Sequence, residues 1–178
     1  MPQLHILLGQ ALGLIVVIIS FISYQAKTQR GIVLINLVAT AVNAAHYLLL
    51  GSLPGAILNF VCIVRNLIYY NKEKRLFSSR AIPYVLAAAI AALAALSWEG
   101  PVTLLLAAAL MINTVFLSLD NAQTFRKSII LTSSMIFLYN IILGSVGGCI
   151  NEAIAVISAI IGIIRFSKDR ALKEENDG

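Results

Sequence analysis

The sequence has little charge, cysteine, proline or histidine. Only 12% of its 178 residues are charged and 60% are hydrophobic. A water-soluble domain carries about 25% charge and less apolar material, so a soluble fold is excluded. Two cysteines are present, Cys62 and Cys149, within or at the end of apolar segments and without a CxxC partner. That spacing excludes a disulfide framework and a zinc site, and both thiols read as small buried hydrophobes. There is no GxxxxGK run to cradle nucleotide phosphates and no lysine in the last apolar segment to hold retinal. No nucleophile and base face each other, so an enzyme is not expected, and no cofactor or metal is implied. Basic residues number 13 against 8 acidic. They sit in short loops and do not interleave with exposed aromatics, which argues against nucleic acid as a partner. The first apolar stretch lacks the basic start and small-residue cleavage site of a secretory signal, and is expected to stay as a helix.

What the chain has is apolar length. A helical span of hydrocarbon takes about 20 apolar residues, because no backbone polar group can go unpaired there. The chain therefore has room for at most seven or eight spans and none for a soluble domain. The pattern predicts helices over about 4–24, 32–50, 56–71, 83–98, 101–119, 128–143 and 149–166. The fourth, PYVLAAAIAALAALSW, is an uncharged Ala-rich linker. On either side of it lie three apolar segments divided by a basic loop and then a glycine turn. This predicts an all-α integral membrane protein with a three, one, three plan: residues 1–71 as the first three-helix repeat, 72–100 as cytoplasmic loop and linker helix, 101–167 as the second repeat, and 168–178 as a charged cytoplasmic tail, expected to be solvated and disordered.

Lysine and arginine mark cytoplasmic loops. Lys27 and Arg30, then Lys72, Lys74, Arg75 and Arg80, then Arg126 and Lys127, then Arg165, Lys168, Arg170 and Lys173 fall on one side under seven crossings. The expected orientation is amino terminus outside and carboxyl terminus inside. The turns Gly51-Ser52-x-x-Gly55 and Gly144-Ser145-x-x-Gly148 match 93 positions apart, whereas Thr28-x-Arg30 and Thr124-x-Arg126 match 96 apart, implying a three-residue gap. Parallel repeats of this kind are a known transporter architecture with the solute near the midplane.

Polar side chains inside hydrocarbon normally face the bundle interior. Counted from the glycine turns by helical rise, Asn43, Arg65, Asn66, Asn113 and Ser158 come out roughly 10 to 20 Å deep, in one layer. A shallower layer holds His46, Tyr47, Asn59, Tyr139, Asn140 and Glu152. Asn36, Thr40, Asn43 and Tyr47 recur at helical spacing as one polar stripe. Each amide alone is compatible with interhelical bonding; several amides with an arginine point to a binding layer. The candidate substrate-binding residues are Asn43, Asn59, Arg65, Asn66, Asn113 and Ser158. Glu152 and His46 are candidates for proton or ion coupling, and Gly13, Gly51, Gly55, Gly144 and Gly148 for hinges or turns.

Tyr24-Gln25, Lys27-Thr28, Gly31, Asn43, the run Tyr47 to Gly51 with the turn leading to Asn59, and Arg65-Asn66-Leu67 resemble the YgjV-like family of bacterial inner-membrane proteins. More distantly, the plan is similar to the SWEET, PQ-loop and PnuC transporters of sugars, amino acids and nicotinamide riboside. That resemblance implies a SWEET-like fold, and it likens Asn59 or Asn66, with Glu152 and Ser158 in the second copy, to binding positions on the third helix of each repeat. It departs at Tyr24, which stands where a PQ-loop protein has proline, and in the absence of a proline inside helix one or five; Gly13 is the substitute. The expected function is a facilitator or ion-coupled carrier of a small polar solute such as a sugar, nucleoside, vitamin or amino acid. The alternative is a membrane receptor or assembly factor that binds without translocation. The partners expected are the lipid bilayer of the bacterial inner membrane and a small solute, with a homo-oligomer left open.

Overall fold

The computed structural model describes residues 2–74 and 77–176; Arg75 of the expected basic linker and the terminal Asp177 and Gly178 lie outside the described residues. Among the described residues the chain forms seven helices: α1 (Pro2–Tyr24), α2 (Gln29–Leu49), α3 (Leu53–Tyr70), α4 (Ile82–Leu96), α5 (Val102–Ser118), α6 (Ala122–Leu143) and α7 (Val146–Asn176). Local chemistry sets the ends. Thr28, Ser52 and Asn121 cap α2, α3 and α6, each side-chain oxygen accepting from a backbone N–H three residues on, at 3.0 to 3.2 Å. Ser145 does the same for Gly148 at the start of α7, at 3.0 Å. These caps satisfy donors that helix geometry leaves free. Gly51 (φ 77°) and Gly144 (φ 72°) close the turns before α3 and α7 in the left-handed region, where a side chain would be strained.

Each helix packs chiefly on its sequence neighbour, with two exceptions that shape the molecule. α7 returns to α1, and α3 packs on α5, so that α1, α2, α3, α5, α6 and α7 form a closed ring while α4 lies outside it against α3 and α5. The interior of the ring holds two apolar clusters. One gathers Tyr24, Ile32, Tyr69, Leu117, Phe125 and Ile129 toward the end that carries the basic loops. The other gathers Tyr47, Leu58, Cys62, Leu106 and Tyr139 toward the glycine turns, with Ile90 of α4 packed on it from outside the ring. The perimeter is apolar too: Leu7, Ile18, Leu48, Phe60, Val85, Leu96 and Ile142 are all more than half exposed. Apolar outside and polar inside is the distribution of a protein solvated by lipid.

Several expectations change. Five helices are long and apolar enough to cross a bilayer by length and composition, whereas α4 and α5, of 15 and 17 residues, are apolar but shorter. α4 stops at Leu96, where the Ser97 hydroxyl turns back onto the Leu93 carbonyl at 2.7 Å. α3 starts inside the glycine turn, since Ser52 caps it and Pro54 suits its first turn. α6 starts at Ala122, so Arg126 and Lys127 are helical residues and not loop residues. α7 runs on through the charged segment, expected to be disordered, as far as Asn176. The expected three-residue gap is not needed to match these positions either. The caps Thr28 and Asn121, and the first residues of α3 and α7, Leu53 and Val146, stand 93 positions apart, the same spacing as Tyr47 and Asn140.

α1 and α7 approach most closely at Gly13 and Gly147. A Cβ on Gly147 would sit 2.9 Å from the Gln10 carbonyl oxygen and 3.0 Å from the Gly13 Cα, both backbone atoms that cannot swing away. Gly13 therefore serves close packing, in a helix that runs unbroken from Pro2 to Tyr24. Gly147→Val is expected to lose about 1–3 kcal/mol by forcing the two helices apart, read as a lower unfolding midpoint in detergent. An unchanged midpoint would contradict this contact.

Candidate functional site

Between the two apolar clusters the helices of the ring line a partly open polar cavity of about 80 Å³, room for a few water molecules or a solute of few heavy atoms. It is lined from α1 by Ser20 and Tyr24, from α2 by Asn36, Thr40 and Asn43, from α3 by Asn59, Cys62 and Arg65, and from α5 by Asn113. α6 adds Thr132 and Ser133, and α7 adds Asn151 and Glu152. Polar groups at this depth need partners, since an unpaired one pays its full desolvation.

Arg65 is the best anchored of them. Its Nε and one terminal nitrogen donate to Asn66 Oδ1 at 3.1 and 3.0 Å, and the other terminal nitrogen donates to Asn113 Oδ1 and Thr114 Oγ1, both at 3.2 Å. All these acceptors are neutral. Asn66 in turn donates to Thr40 at 3.2 Å, which ties α3 to α2 behind the guanidinium. Asn43 donates to Asn59 Oδ1 at 3.3 Å, and Asn59 donates to the Gly55 carbonyl at 2.8 Å. Across the cavity, Asn151 Nδ2 donates to Glu152 Oε1 at 2.9 Å.

Of the residues singled out from the sequence, Asn43, Asn59, Arg65, Asn113 and Glu152 line this one cavity. Asn66 stands one step behind Arg65 and orients it. Ser158 lies elsewhere: its hydroxyl donates to the Phe21 carbonyl and accepts from Gln25 Nε2, both at 3.0 Å, joining α7 to α1. His46 is buried between the Gly9 carbonyl and Ser145 Oγ, at 2.7 and 2.9 Å, so both ring nitrogens are occupied by partners that join α2 to α1 and to the turn before α7. Gly55 and Gly148 leave space for Tyr47 and Asn140.

Other residues were not anticipated. Asn151 has no polar counterpart 93 positions earlier, where Leu58 stands, so matching the expected repeats hid it. Thr132 returns its hydroxyl to the Ser128 carbonyl at 3.1 Å and so passes for an ordinary helical residue. Arg126, expected in a cytoplasmic loop, is 1% exposed. Its Nε donates to the Tyr24 carbonyl at 3.0 Å, a terminal nitrogen donates to the Ala26 carbonyl at 2.5 Å, and the guanidinium stacks over Phe166. It holds the carbonyls at the end of α1 that the helix itself cannot satisfy.

The cavity is bracketed at both ends by bonds that cross from α1, α2 and α3 to α5, α6 and α7. At the glycine-turn end, Tyr47 OH donates to Asn140 Oδ1 at 2.9 Å, Ser52 Oγ and Tyr139 OH share a hydrogen bond of 2.5 Å, and His46 meets Ser145. The last two bonds interchange when His46 and Ser52 are moved forward and Tyr139 and Ser145 back by 93 positions, and Tyr47 and Asn140 are themselves that far apart. At the basic end, Tyr69 donates to the Thr114 carbonyl and Gln29 to the Leu117 carbonyl, while Ser158 and Arg126 donate to the matching Phe21 and Tyr24 carbonyls. Lys72 pairs with Asp120, and Arg30 with Glu73 at 3.2 Å, so the loops after α1, α3 and α5 share one end of the molecule.

The family described as Imp-YgjV, bacterial inner membrane protein, matches residues 7–170. No curated protein and no solved structure matches the chain. The bond between Tyr47 and Asn140 yields a direct test. In a double-mutant cycle, Tyr47→Phe and Asn140→Leu are expected to couple by about 0.6–1.7 kcal/mol, the range for interhelical bonds in membranes. Strict additivity of the two unfolding free energies would mean that the side chains do not meet.

Proposed function

The chain belongs to the Imp-YgjV family of bacterial inner membrane proteins, and from that premise we propose that it carries a small polar solute across the bilayer by alternating access. The observation that carries the reading is a cavity lined by buried charged and amide side chains, bracketed at both ends by bonds between the same two groups of helices. A cavity of that kind serves a carrier if the bonds at one end open while those at the other stay closed. Lining side chains from opposite halves would then face alternate sides.

In this reading the molecule is two parallel units, α1 to α3 and α5 to α7, with α4 as the linker that restores orientation, a three, one, three plan. Support comes from the ring of contacts, which maps onto itself when α1, α2 and α3 are exchanged for α5, α6 and α7. The reciprocal bonds do the same. α4 and α5 then cross as short spans, which a bilayer accommodates by thinning locally. The basic end lies in the cytoplasm and the glycine turns outside, in keeping with the cytoplasmic bias of lysine and arginine. Without prolines inside α1 and α5, movement falls to rigid-body rocking of one unit on the other. The polar contacts across their shared surface are hydrogen bonds, each worth only about 0.6–1.7 kcal/mol in a membrane.

Cys62 lines the cavity and is 1% exposed. With Cys149→Ser it is the sole thiol of the chain, and it tests the proposal without knowledge of the solute. A membrane-impermeant methanethiosulfonate reagent is expected to reach it slowly from both faces. Tyr47→Phe combined with Ser52→Ala is expected to raise the rate from the glycine-turn face by about tenfold, the equivalent of roughly 1.4 kcal/mol of lost bonding. Reaction from one face only, unchanged by these substitutions, would overturn the carrier and favour a receptor that binds without translocation.

A further inference from the structure

The two charged side chains of the cavity have no charged partner. Arg65 and Glu152 are 4% and 7% exposed, and among the described residues neither lies within ion-pair distance of an opposite charge. Burying an uncompensated charge at membrane depth is expensive, and such groups mark the places where a protein handles charge. Here one cation and one anion face the same small cavity, so compensation has to come from within it.

Their positions are also asymmetric. Ninety-three positions from Glu152 stands Asn59, and the same distance from Arg65 stands Ser158, so each charge corresponds by position to a neutral residue in the other group of helices. Arg65 lies six positions beyond Asn59 along α3, roughly 9 Å by helical rise. The cavity therefore has a positive wall from α3 and a negative wall from α7. The asymmetry selects a solute that is itself a dipole.

The remaining hydrogen-bonding capacity fits the same ligand. A guanidinium has five N–H groups, and four are engaged by Asn66, Asn113 and Thr114, which leaves one for an acceptor. On the opposite wall, Asn151 Oδ1 is buried with no donor although its amide nitrogen is bonded to Glu152. A carbonyl oxygen without a donor beside a carboxylate suits an ammonium with its three N–H groups.

We propose that the cavity binds a small zwitterion, its carboxylate at Arg65 and its ammonium at Glu152 and the free oxygen of Asn151. An α-amino acid with a small side chain is the simplest molecule with both groups. A cavity of about 80 Å³ leaves little room beyond them. An anion alone leaves Glu152 uncompensated, an amine alone leaves Arg65 so, and a neutral polyol relieves neither. The assignment deepens the carrier reading and rests on it only for transport, since binding alone would satisfy the electrostatics.

The test is calorimetric titration of the purified full-length chain with L-alanine, propionate, ethylamine and glycerol. Alanine is expected to bind about tenfold to a hundredfold more tightly than propionate or ethylamine, the value of one hydrogen-bonded charge, and glycerol not measurably. Glu152→Gln is expected to bring alanine down to the level of propionate while leaving propionate binding in place. Loss of Arg65 would strip three side chains of their donor, so Arg65→Lys is the variant on that side. It is expected to keep the fold, shown by an unfolding midpoint near that of the wild type, and to weaken alanine and propionate together without affecting ethylamine. Equal binding of alanine and glycerol, no binding of alanine, or Glu152→Gln without effect on alanine would overturn the assignment. Alanine binding without uptake into proteoliposomes would sink the carrier and keep the zwitterion site; uptake of glycerol without alanine binding would do the reverse.

Discussion

Hydrocarbon offers no hydrogen bonds, so every polar group that enters it must find a partner within the protein. Lipid also removes the usual drive for burying apolar side chains, because the tails are as apolar as leucine. What distinguishes inside from outside here is therefore polarity. Leu48, Phe60 and Leu96 face outward, while Arg65, Asn66, Asn140 and Ser158 are turned in and bonded. The bonds that satisfy these groups are the ones that join helix to helix, so pairing and assembly are the same event.

The pairing falls into two belts with a cavity between them. Near the glycine turns, hydroxyl, imidazole and amide side chains meet one another across the ring. Near the basic loops, side chains meet the exposed carbonyls at the ends of α1 and α5. The first belt joins side chain to side chain and can part without breaking a helix. The second joins side chains to helix ends, where the last turn leaves carbonyls free in any case. Opening either belt leaves the helices whole, which is why a carrier needs no proline hinge in this framework. The cavity between them is asymmetric in charge although its frame is close to symmetric. In the proposed carrier the frame governs movement and the asymmetry governs what is held.

Much of the fold was legible. Apolar length marked helices, though not their capped starts at Thr28, Ser52 and Asn121, and the chain read as all-helical because nothing else pairs its own backbone in lipid. Membership of the candidate layer was legible in part for the same reason: Asn43, Asn59, Arg65, Asn113 and Glu152 are costly in an apolar helix and must face inward. Arg126 was misread as a loop residue because its neighbours Gln123, Thr124 and Lys127 are polar, and polarity alone does not separate a loop from the first turn of a capped helix. Ser158 and Arg65 fell into one layer by depth, yet they point to different partners, since depth along a helix leaves rotation about its axis open.

From its composition and spacing the chain determined that it is helical, that it belongs in a bilayer, and that several of its polar residues lie inside. These are consequences of solvation, which acts on each segment separately and can be read segment by segment. The tertiary structure decided which polar residues meet. It bonded Tyr47 to Asn140 and Ser52 to Tyr139, sent Ser158 to the end of α1, and left Arg65 and Glu152 facing one cavity without each other. Those outcomes depend on the rotation and neighbours of whole helices, and a one-dimensional pattern of hydrophobicity carries neither.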